Sequence, residues 1–290
     1  MTAAAQAGRE RSARETAAGD VLLKTLLYGL LIGGAVVALL PTVWMIAASL
    51  MTTGEATTYP PHFIPRAPTL EHYRTLFNRL SIGRYLFNSA FVAVTVTVLS
   101  LVINSLAGYA LAKLRFRGRE RLSGALAAGL VVPTQVAMLP LFLLLKTLGL
   151  VNSYWGVIIP GMASIFGIFL IRQYAIAIPD DLLDAARMDG ASELGIYRRV
   201  VLPVISPILA TLAIWTFLAT WNDFMWPLIV LSDERRFTLP VALANLSGEH
   251  VQDTELMMAG AVVTVLPVLV AFLVLQRYYV QGIMGGSVKE

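Results

Sequence analysis

Residues 85–112 read YLFNSAFVAVTVTVLSLVINSLAGYALA and contain no charged side chain over 28 positions. A helix needs about 20 apolar residues to cross the hydrocarbon core of a bilayer. Buried helices of soluble proteins rarely reach such a length without a charge. We therefore predict that this run forms a transmembrane helix.

Five other uncharged runs, of 21 to 26 residues, predict five more such helices: 25–50, 122–145, 147–171, 200–222 and 256–276. Only Lys146 separates the third run of the chain from the fourth, and Gly149 and Asn152 predict a tight turn there. The composition agrees, because 57% of the residues are hydrophobic and only 14% are charged, against about a quarter charged in soluble domains. We predict an all-α membrane protein with six transmembrane helices, in a domain covering residues 21–290.

The basic residues indicate the orientation of these helices, because cytoplasmic loops carry an excess of Lys and Arg. With the N-terminus inside, 15 of the 22 basic residues lie on the cytoplasmic side, and five of them fall within residues 113–121. Both termini are then cytoplasmic, and residues 1–20 form a mobile cytoplasmic tail. The loops 51–84 and 232–255 face outward.

A distinctive cytoplasmic loop lies between the fourth and fifth runs, where residues 179–203 read PDDLLDAARMDGASELGIYRRVVLP. Pro179 suits the first turn of a helix, Gly190 permits a turn, and Ser192 can cap a second helix. We predict two short helices with a break, which form a knob that a second protein can grip. The alternative is an amphipathic connector that rests on the membrane.

Residues 184–191, DAARMDGA, are followed after ten residues by Leu202 and Pro203. This pattern resembles the "EAA" loop of binding-protein-dependent ATP-binding-cassette (ABC) permeases, which reads Glu-Ala-Ala, two residues, Asp-Gly-Ala, and then a Leu-Pro ending. Asp184 stands where that family often has Glu, so the acid is kept but is one methylene shorter. The resemblance covers residues 25–290 and implies the six-helix bundle of a type I importer permease.

The resemblance also implies that the 179–203 loop docks in a cleft of a separate ATPase and passes its closure to the membrane helices. The small side chains would allow close helix approach, and the charged ones would pair with the ATPase. The coupling residues implied in this way are Asp184, Ala185, Ala186, Arg187, Asp189, Gly190 and Ala191.

The chain itself is not predicted to be an enzyme. It has no phosphate-binding loop of the form Gly-x-x-x-x-Gly-Lys-Ser/Thr, since no Lys follows a Gly anywhere. It also has no cysteine, and no catalytic set or metal cluster is evident. Cofactors are therefore expected only on the partner, where the ATPase, as a dimer, would bind ATP and Mg²⁺. Further implied partners are a second, distinct permease and an extracytoplasmic sugar-binding protein, at the cytoplasmic membrane of a bacterium or archaeon.

A possible substrate pathway is indicated by residues 221–227, WNDFMWP. Ionisable groups at membrane depth usually line a pathway, and a helix broken by Pro227 frees backbone groups to bind polar ligands. Trp221 and Trp226 would stack on sugar faces, while Asn222 and Asp223 would bind hydroxyls. The alternative is an aromatic belt at the outer interface with a helix-end cap. Three further pathway candidates, each of which is alternatively an interhelical hydrogen bond, are Asn104, Ser105 and Gln135.

The Trp-Asn-Asp-Phe segment resembles the sugar-importing branch of these permeases, so the resemblance favours a permease subunit that forms half of a sugar pathway. A neutral sugar is expected, because no excess of cations flanks residues 221–226. Two alternatives stay open. One is an ABC permease for a non-sugar solute, and the other is a proton-coupled secondary transporter that uses Asp223 as its proton site.

Overall fold

Helices form all of the regular structure in the computed structural model, which describes residues 3–60, 62–249 and 253–284. In these three ranges there is no β-strand. The α-helices are α1 Ala3–Ser49, α2 Glu71–Asn78, α3 Ile82–Lys113, α4 Arg119–Gly129, α5 Thr134–Thr147, α6 Tyr154–Gly161, α7 Ile165–Ile176, α8 Asp180–Met188, α9 Glu193–Ile196, α10 Leu202–Val204, α11 Ser206–Trp221, α12 Met225–Val230, α13 Leu239–Glu249 and α14 Thr254–Met284. A π-helical turn covers Tyr197–Val201, and a 3₁₀ turn covers Glu234–Arg236.

Four helical segments are long and apolar enough to cross a membrane: Leu23–Ser49, Ile82–Lys113, Tyr154–Ile176 and Thr254–Leu273. Two bent pairs bring the number to six when each pair is counted as one span. The first pair joins α4 to α5. The second joins Glu193–Val204 to α11 with a bend of 79°, so the predicted run 200–222 is one continuous helix only from Ser206 to Trp221. The prediction of an all-α membrane protein with six spans is confirmed when each bent pair is counted as one span.

The third predicted helix is wrong in one respect, because residues 122–145 do not form one continuous helix. α4 and α5 meet at an angle of 108°. The break falls before Pro133, which has no N–H to donate and disfavours the helical conformation of the preceding residue. A hydropathy count measures the length of an apolar run and carries no information about such a bend.

The predicted turn between the third and fourth runs is confirmed. Gly149 and Asn152 both adopt left-handed backbone conformations, with φ of 69° and 57°. Gly and Asn are the residues that tolerate this conformation best. Ser153 then caps α6, since its hydroxyl oxygen accepts a hydrogen bond from the N–H of Gly156 at 3.1 Å.

The N-terminal segment is part of the first helix. Residues 3–20, which were expected to form a mobile tail, continue α1 without interruption. The segment is rich in Ala, Glu and Arg, all of which favour a helix. Its cytoplasmic location stays a prediction, and residues 1, 2 and 285–290 lie outside the described part of the chain.

The chain divides into two compact units, of which the first comprises residues 1–72 and 252–262. Two buried carboxylates order its irregular segment after α1. Glu55 accepts hydrogen bonds from the N–H groups of Thr52 and Arg66, at 3.1 and 2.8 Å. Glu255, at the start of α14, accepts one from the N–H of Ala56 at 2.7 Å. These bonds satisfy backbone N–H groups that lie outside any helix and have no partner in a regular hydrogen-bond pattern.

The second unit, residues 73–251 and 263–290, is built around α3. This helix packs against α7 and α11. The approach of α3 to α7 is close, because a Cβ atom at Gly108 would lie 2.7 Å from the side chain of Ile171. One apolar cluster of this unit surrounds Tyr109 and Ile171 and extends into the 179–203 loop.

Candidate functional site

The 179–203 loop folds as two short helices, as its sequence predicted. α8 begins directly after Pro179, and α9 begins directly after Ser192. Gly190 forms the turn between them with a φ of 76°. Ser192 caps α9, because its hydroxyl oxygen accepts a hydrogen bond from the N–H of Gly195 at 3.2 Å. The two helices therefore form a compact projection, which we call the coupling loop.

One face of the coupling loop is anchored and the other is open. Leu183, Ile196 and Val201 are at most 1% exposed, and they belong to the apolar cluster around Tyr109. On the open face, Met188 is 88% exposed, and Leu182 and Leu194 are about half exposed. The loop is thus held by its own chain and still presents apolar side chains to its surroundings.

Arg187 joins the two helices of the coupling loop. Its Nη1 atom lies 2.6 Å from Oδ1 of Asp184 in α8, and its Nε atom lies 2.9 Å from Oε1 of Glu193 in α9. The hydrogen bond to Glu193 is the main reason why the pKa of Arg187 is raised, and the same bond lowers the pKa of Glu193. In this structure Asp184 and Arg187 therefore pair within the loop.

A second set of contacts ties the coupling loop to α3. The hydroxyl of Tyr109, a residue only 3% exposed, donates a hydrogen bond to Oε2 of Glu193 at 2.9 Å. One turn earlier on α3, the hydroxyl of Ser105 lies 2.6 Å from that of Tyr197. The two tyrosine rings also contact each other, with centroids 5.8 Å apart. The loop and α3 are therefore joined by packing and by hydrogen bonds.

Lys113, the last residue of α3, makes a third connection. Its ammonium donates hydrogen bonds to the carbonyl oxygens of Ile176 and Ile178, at 3.2 and 2.6 Å, near the C-terminal end of α7. It also lies 2.7 Å from Oδ1 of Asp180 at the start of α8. The hydrogen bond from Lys113 lowers the pKa of Asp180. A cation at a helix C-terminus is favourable in itself, so this residue fixes the position where the coupling loop begins.

The sequence analysis missed Lys113, Tyr109, Tyr197, Ser105 and Glu193 as parts of this site. Lys113 entered it only as a cation that orients the helices. Ser and Tyr in an apolar helix give no sign of which loop they will meet about 85 residues later. Glu193 carried one usable signal, since an acid directly after the capping Ser192 is typical of a first helical turn.

The predicted coupling residues include four with small side chains or none, which protrude little from the loop. Ala185 and Gly190 are exposed, and Ala186 and Ala191 are partly buried. A Cβ atom at Gly190 would meet no atom within 4 Å. Asp189, the remaining predicted coupling residue, is exposed. The small and acidic positions are therefore accessible, while their role toward an ATPase stays a prediction.

The two tryptophans of the predicted pathway are buried within the chain. Trp221 is 2% exposed, and its indole N–H donates to the carbonyl oxygen of Thr264 at 3.2 Å. Trp226 is 7% exposed, and its indole N–H donates to the carbonyl oxygen of Gly156 at 3.2 Å. Neither ring has an open face in this arrangement. Stacking of these rings on a sugar stays a prediction that the geometry does not favour.

The helix break in this region comes earlier than Pro227. α11 ends at Trp221, and Pro227 lies in the first turn of α12. In a continuous helix the N–H of residue 227 would bond the carbonyl of Asp223, and proline has no such N–H. The carboxylate of Asp223 instead accepts the N–H of Trp226 at 3.3 Å. This is the helix-end cap that was the alternative interpretation of Asp223.

The other polar candidates differ in exposure. Asn222 is exposed, and its side-chain amide donates to the carbonyl oxygen of Leu218 at 2.8 Å. Gln135 is exposed near the start of α5. Asn104 is fully buried, and its Oδ1 accepts the N–H of Ser164, directly before α7, at 3.1 Å. Asn104 thus makes the interhelical hydrogen bond that was its alternative interpretation. The predicted coupling residues lie together in one loop, whereas the pathway candidates are not gathered into one site.

Comparisons with known proteins place this geometry in a family. Residues 104–285 match the protein family described as the binding-protein-dependent transport system inner membrane component. The arabinooligosaccharides transport system permease protein of Bacillus subtilis is 40% identical over 226 residues, which cover 78% of this chain and 80% of that protein. The diacetylchitobiose uptake system permease protein of Streptomyces coelicolor is 31% identical over 279 residues, which cover 95% of this chain and 92% of that protein.

A solved structure is similar over nearly the whole chain. It is the crystal structure of a bacterial ABC transporter involved in the import of the acidic polysaccharide alginate. The match has a TM-score of 0.79 and 27% sequence identity, and it covers 90% of this chain and 98% of the other. The coupling loop, the helical membrane fold and these similarities lead to one assignment: the chain belongs to the family of inner-membrane components of binding-protein-dependent transport systems.

Proposed function

We propose that this chain is a permease subunit of an ATP-driven sugar importer and forms half of its translocation pathway. The observation that carries the proposal is the coupling loop, an anchored projection with an open apolar face. The similar permeases from Bacillus subtilis and Streptomyces coelicolor are named for arabinooligosaccharides and diacetylchitobiose, which supports a sugar. A non-sugar solute and a proton-coupled carrier are not favoured by these similarities.

The open face of the coupling loop is the surface that a separate ATPase would cover. A fully buried Met side chain contributes about 1.5–3 kcal/mol relative to an exposed one, and Met188 is 88% exposed in this chain alone. Burial of Met188 by the ATPase would therefore contribute to the affinity, as would burial of the half-exposed Leu182 and Leu194. The ATPase, expected as a dimer, would bind ATP and Mg²⁺, because this chain has no phosphate loop.

Movement of the ATPase would reach the membrane helices through α3. Tyr109 and Ser105 belong to α3 and contact Glu193 and Tyr197 of the coupling loop. α3 in turn packs along α7 and α11. A displacement of the loop would thus be passed to three helices of the same unit, which is the mechanical link that an importer of this kind needs.

The sugar would contact exposed polar groups rather than the buried indoles. Asn222 and Gln135 are exposed members of the predicted pathway set, whereas Trp221, Trp226 and Asn104 are buried within the chain. With so few exposed groups from this chain, the second permease, which we expect to be a distinct protein, would supply much of the pocket. In the proposed orientation both termini are cytoplasmic and the binding protein delivers the sugar from outside.

The test is uptake by the importer purified with its native partners and reconstituted in vesicles. We expect sugar uptake to require ATP and the binding protein and to continue when an ionophore removes the proton gradient. Met188→Asp should lower uptake at least tenfold by weakening ATPase binding. Phe116→Asp is the control, since Phe116 is also an exposed apolar residue, at 43%, on the predicted cytoplasmic side but outside the coupling loop. Uptake that follows the proton gradient and ignores ATP would refute the proposal.

A further inference from the structure

Four arginines surround one cleft in the part of the chain that the proposed topology places outside. Arg79 and Arg84 flank the start of α3, and Arg235 and Arg236 belong to the 3₁₀ turn. The cleft consists of two adjoining cavities of about 630 and 370 Å³, and both are lined by Arg84 and Arg235. We call it the arginine cleft.

A buried amide fixes the backbone that carries two of these arginines. Asn88 is 3% exposed, and its Nδ2 atom donates to the carbonyl oxygens of Arg235 and Phe237, at 3.0 and 2.9 Å. Its Oδ1 atom accepts a hydrogen bond from the hydroxyl of Tyr154 at 2.8 Å. The Asn88 Nδ2 atom therefore fixes the backbone of the turn, and the hydrogen bond from Tyr154 to Oδ1 fixes the Asn88 side chain itself.

A second asparagine fixes the same turn from another side. Asn152 has the left-handed conformation noted above, and its Oδ1 atom accepts the N–H groups of Ser232 and Asp233, at 3.1 and 3.0 Å. The carbonyl oxygen of Asn152 accepts a hydrogen bond from the guanidinium of Arg236. The turn is thus positioned by α3 and by the loop before α6, which lowers the entropy lost when a partner binds its side chains.

The charges of the cleft are not balanced from within. The side chains of Arg79, Arg84 and Arg235 are exposed, and in the described ranges of the chain none of them has an ion-pair partner. Two carboxylates also line the cleft: Asp233, which lies 3.8 Å from Arg236, and Glu234. Four positive charges therefore meet two negative ones, which leaves the cleft with a net positive charge. Four of the seven basic residues outside are therefore gathered where like charges repel, and an external anion would offset this cost.

We propose that the arginine cleft is the docking site for an acidic face of the extracytoplasmic binding protein. The inference rests on the proposed function, because it assumes that such a protein delivers the sugar from this side. A protein face is favoured over a sugar carboxylate because the three uncompensated arginines are exposed at the surface. Exposed charges act mainly by accelerating and orienting the encounter of two proteins, and each guanidinium can bind a carboxylate with two hydrogen bonds.

The experiment measures how the ATPase activity of the reconstituted importer depends on the concentration of its sugar-loaded binding protein. We expect Arg84→Gln combined with Arg235→Gln to raise the half-saturating concentration about fivefold at 50 mM salt, with an unchanged maximal rate. At 0.5 M salt the difference should nearly vanish, because the Debye length is then below about 8 Å. Lys at both positions should restore most of the wild-type behaviour.

Arg74→Gln is the matched control, since Arg74 is an exposed arginine of α2 that does not line the cleft. An unchanged half-saturating concentration in the double Gln variant would overturn the inference. So would a lower maximal rate at constant half-saturation, or a defect confined to carboxylated sugars, which would assign the arginines to the sugar. A wild-type importer that does not respond to the binding protein would overturn the proposed function, and the docking site with it.

Discussion

Tyr109→Phe removes a single hydroxyl from the contact between α3 and the coupling loop. The ring stays, so its packing against Tyr197 is preserved. What is lost is the hydrogen bond from the hydroxyl to Oε2 of Glu193, at 2.9 Å. We expect the coupling loop to open more often in this variant and the amount of sugar moved per ATP hydrolysed to fall.

The size of the effect follows from the burial of the two partners. A hydrogen bond to a charged group contributes about 1.5–3 kcal/mol when it is well shielded. Tyr109 is almost fully buried, but the side chain of Glu193 is 48% exposed, so water replaces part of the lost bond. We therefore expect about 1 kcal/mol, which corresponds to a roughly fivefold larger opening constant of the loop.

Hydrogen exchange of the peptides that cover residues 179–203 measures this opening directly. Glu193→Gln should give a larger increase, because it also weakens the ion pair with Arg187. Adding Tyr109→Phe to Glu193→Gln should then raise the opening constant much less than fivefold, because both changes act on the same contact. Tyr28→Phe is the control, since Tyr28 lies on α1 and is 61% exposed. A full further fivefold increase when Tyr109→Phe is added to Glu193→Gln, or no effect of Tyr109→Phe alone, would refute the connection.

Four other predictions address topology, the turn, pH and the pathway. Because the chain has no native Cys, Ser192→Cys should react with an impermeant thiol reagent only from the cytoplasmic side and Arg66→Cys only from outside; the reverse pattern would invert the topology. Gly190→Val should reduce the amount of sugar moved per ATP hydrolysed, because a β-branched residue in the left-handed conformation at this position costs about 1 kcal/mol or more. Gly190→Asn should be tolerated, since Asn adopts this conformation more readily. If the two variants transport sugar equally well, backbone strain at Gly190 does not affect coupling. Because the pKa of Glu193 is lowered in the folded loop, its contribution to loop stability is complete above the ordinary carboxylate pKa and is lost as pH falls through the folded value. The opening constant, obtained by dividing each exchange rate by the intrinsic rate at the same pH, should therefore stay constant from pH 7 to about 5 and rise at lower pH as Glu193 is protonated. A rise already near pH 6 would contradict this. Asn222→Ala should lower sugar uptake severalfold while basal ATPase activity survives, and unchanged uptake would assign the pocket to the second permease.

Features with a local cause were predictable from the sequence. The turn at Gly149 and Asn152 and the cap at Ser192 each depend on residues within four positions of one another, and the structure contains both. The membrane spans depend only on the length and apolarity of a run. The bend between α4 and α5 was not predictable in the same way, because proline does not always break a helix. Pro41 lies inside α1 and Pro267 inside α14, and both helices continue past them.

The charged residues of the coupling loop show why a motif gives positions but not contacts. The resemblance implied that Asp184 and Arg187 would reach an ATPase, yet Arg187 bonds both Asp184 and Glu193 of its own loop. The pair of Arg187 with Asp184 lies three residues apart in one helix, but the pair with Glu193 could be seen only after Gly190 had turned α9 back toward α8. The charges thus hold the shape of the projection, and its open face is left to Leu182, Met188 and Leu194. Recognition of the ATPase would then depend on apolar burial at the surface, with the ion pairs deciding whether that surface is correctly presented.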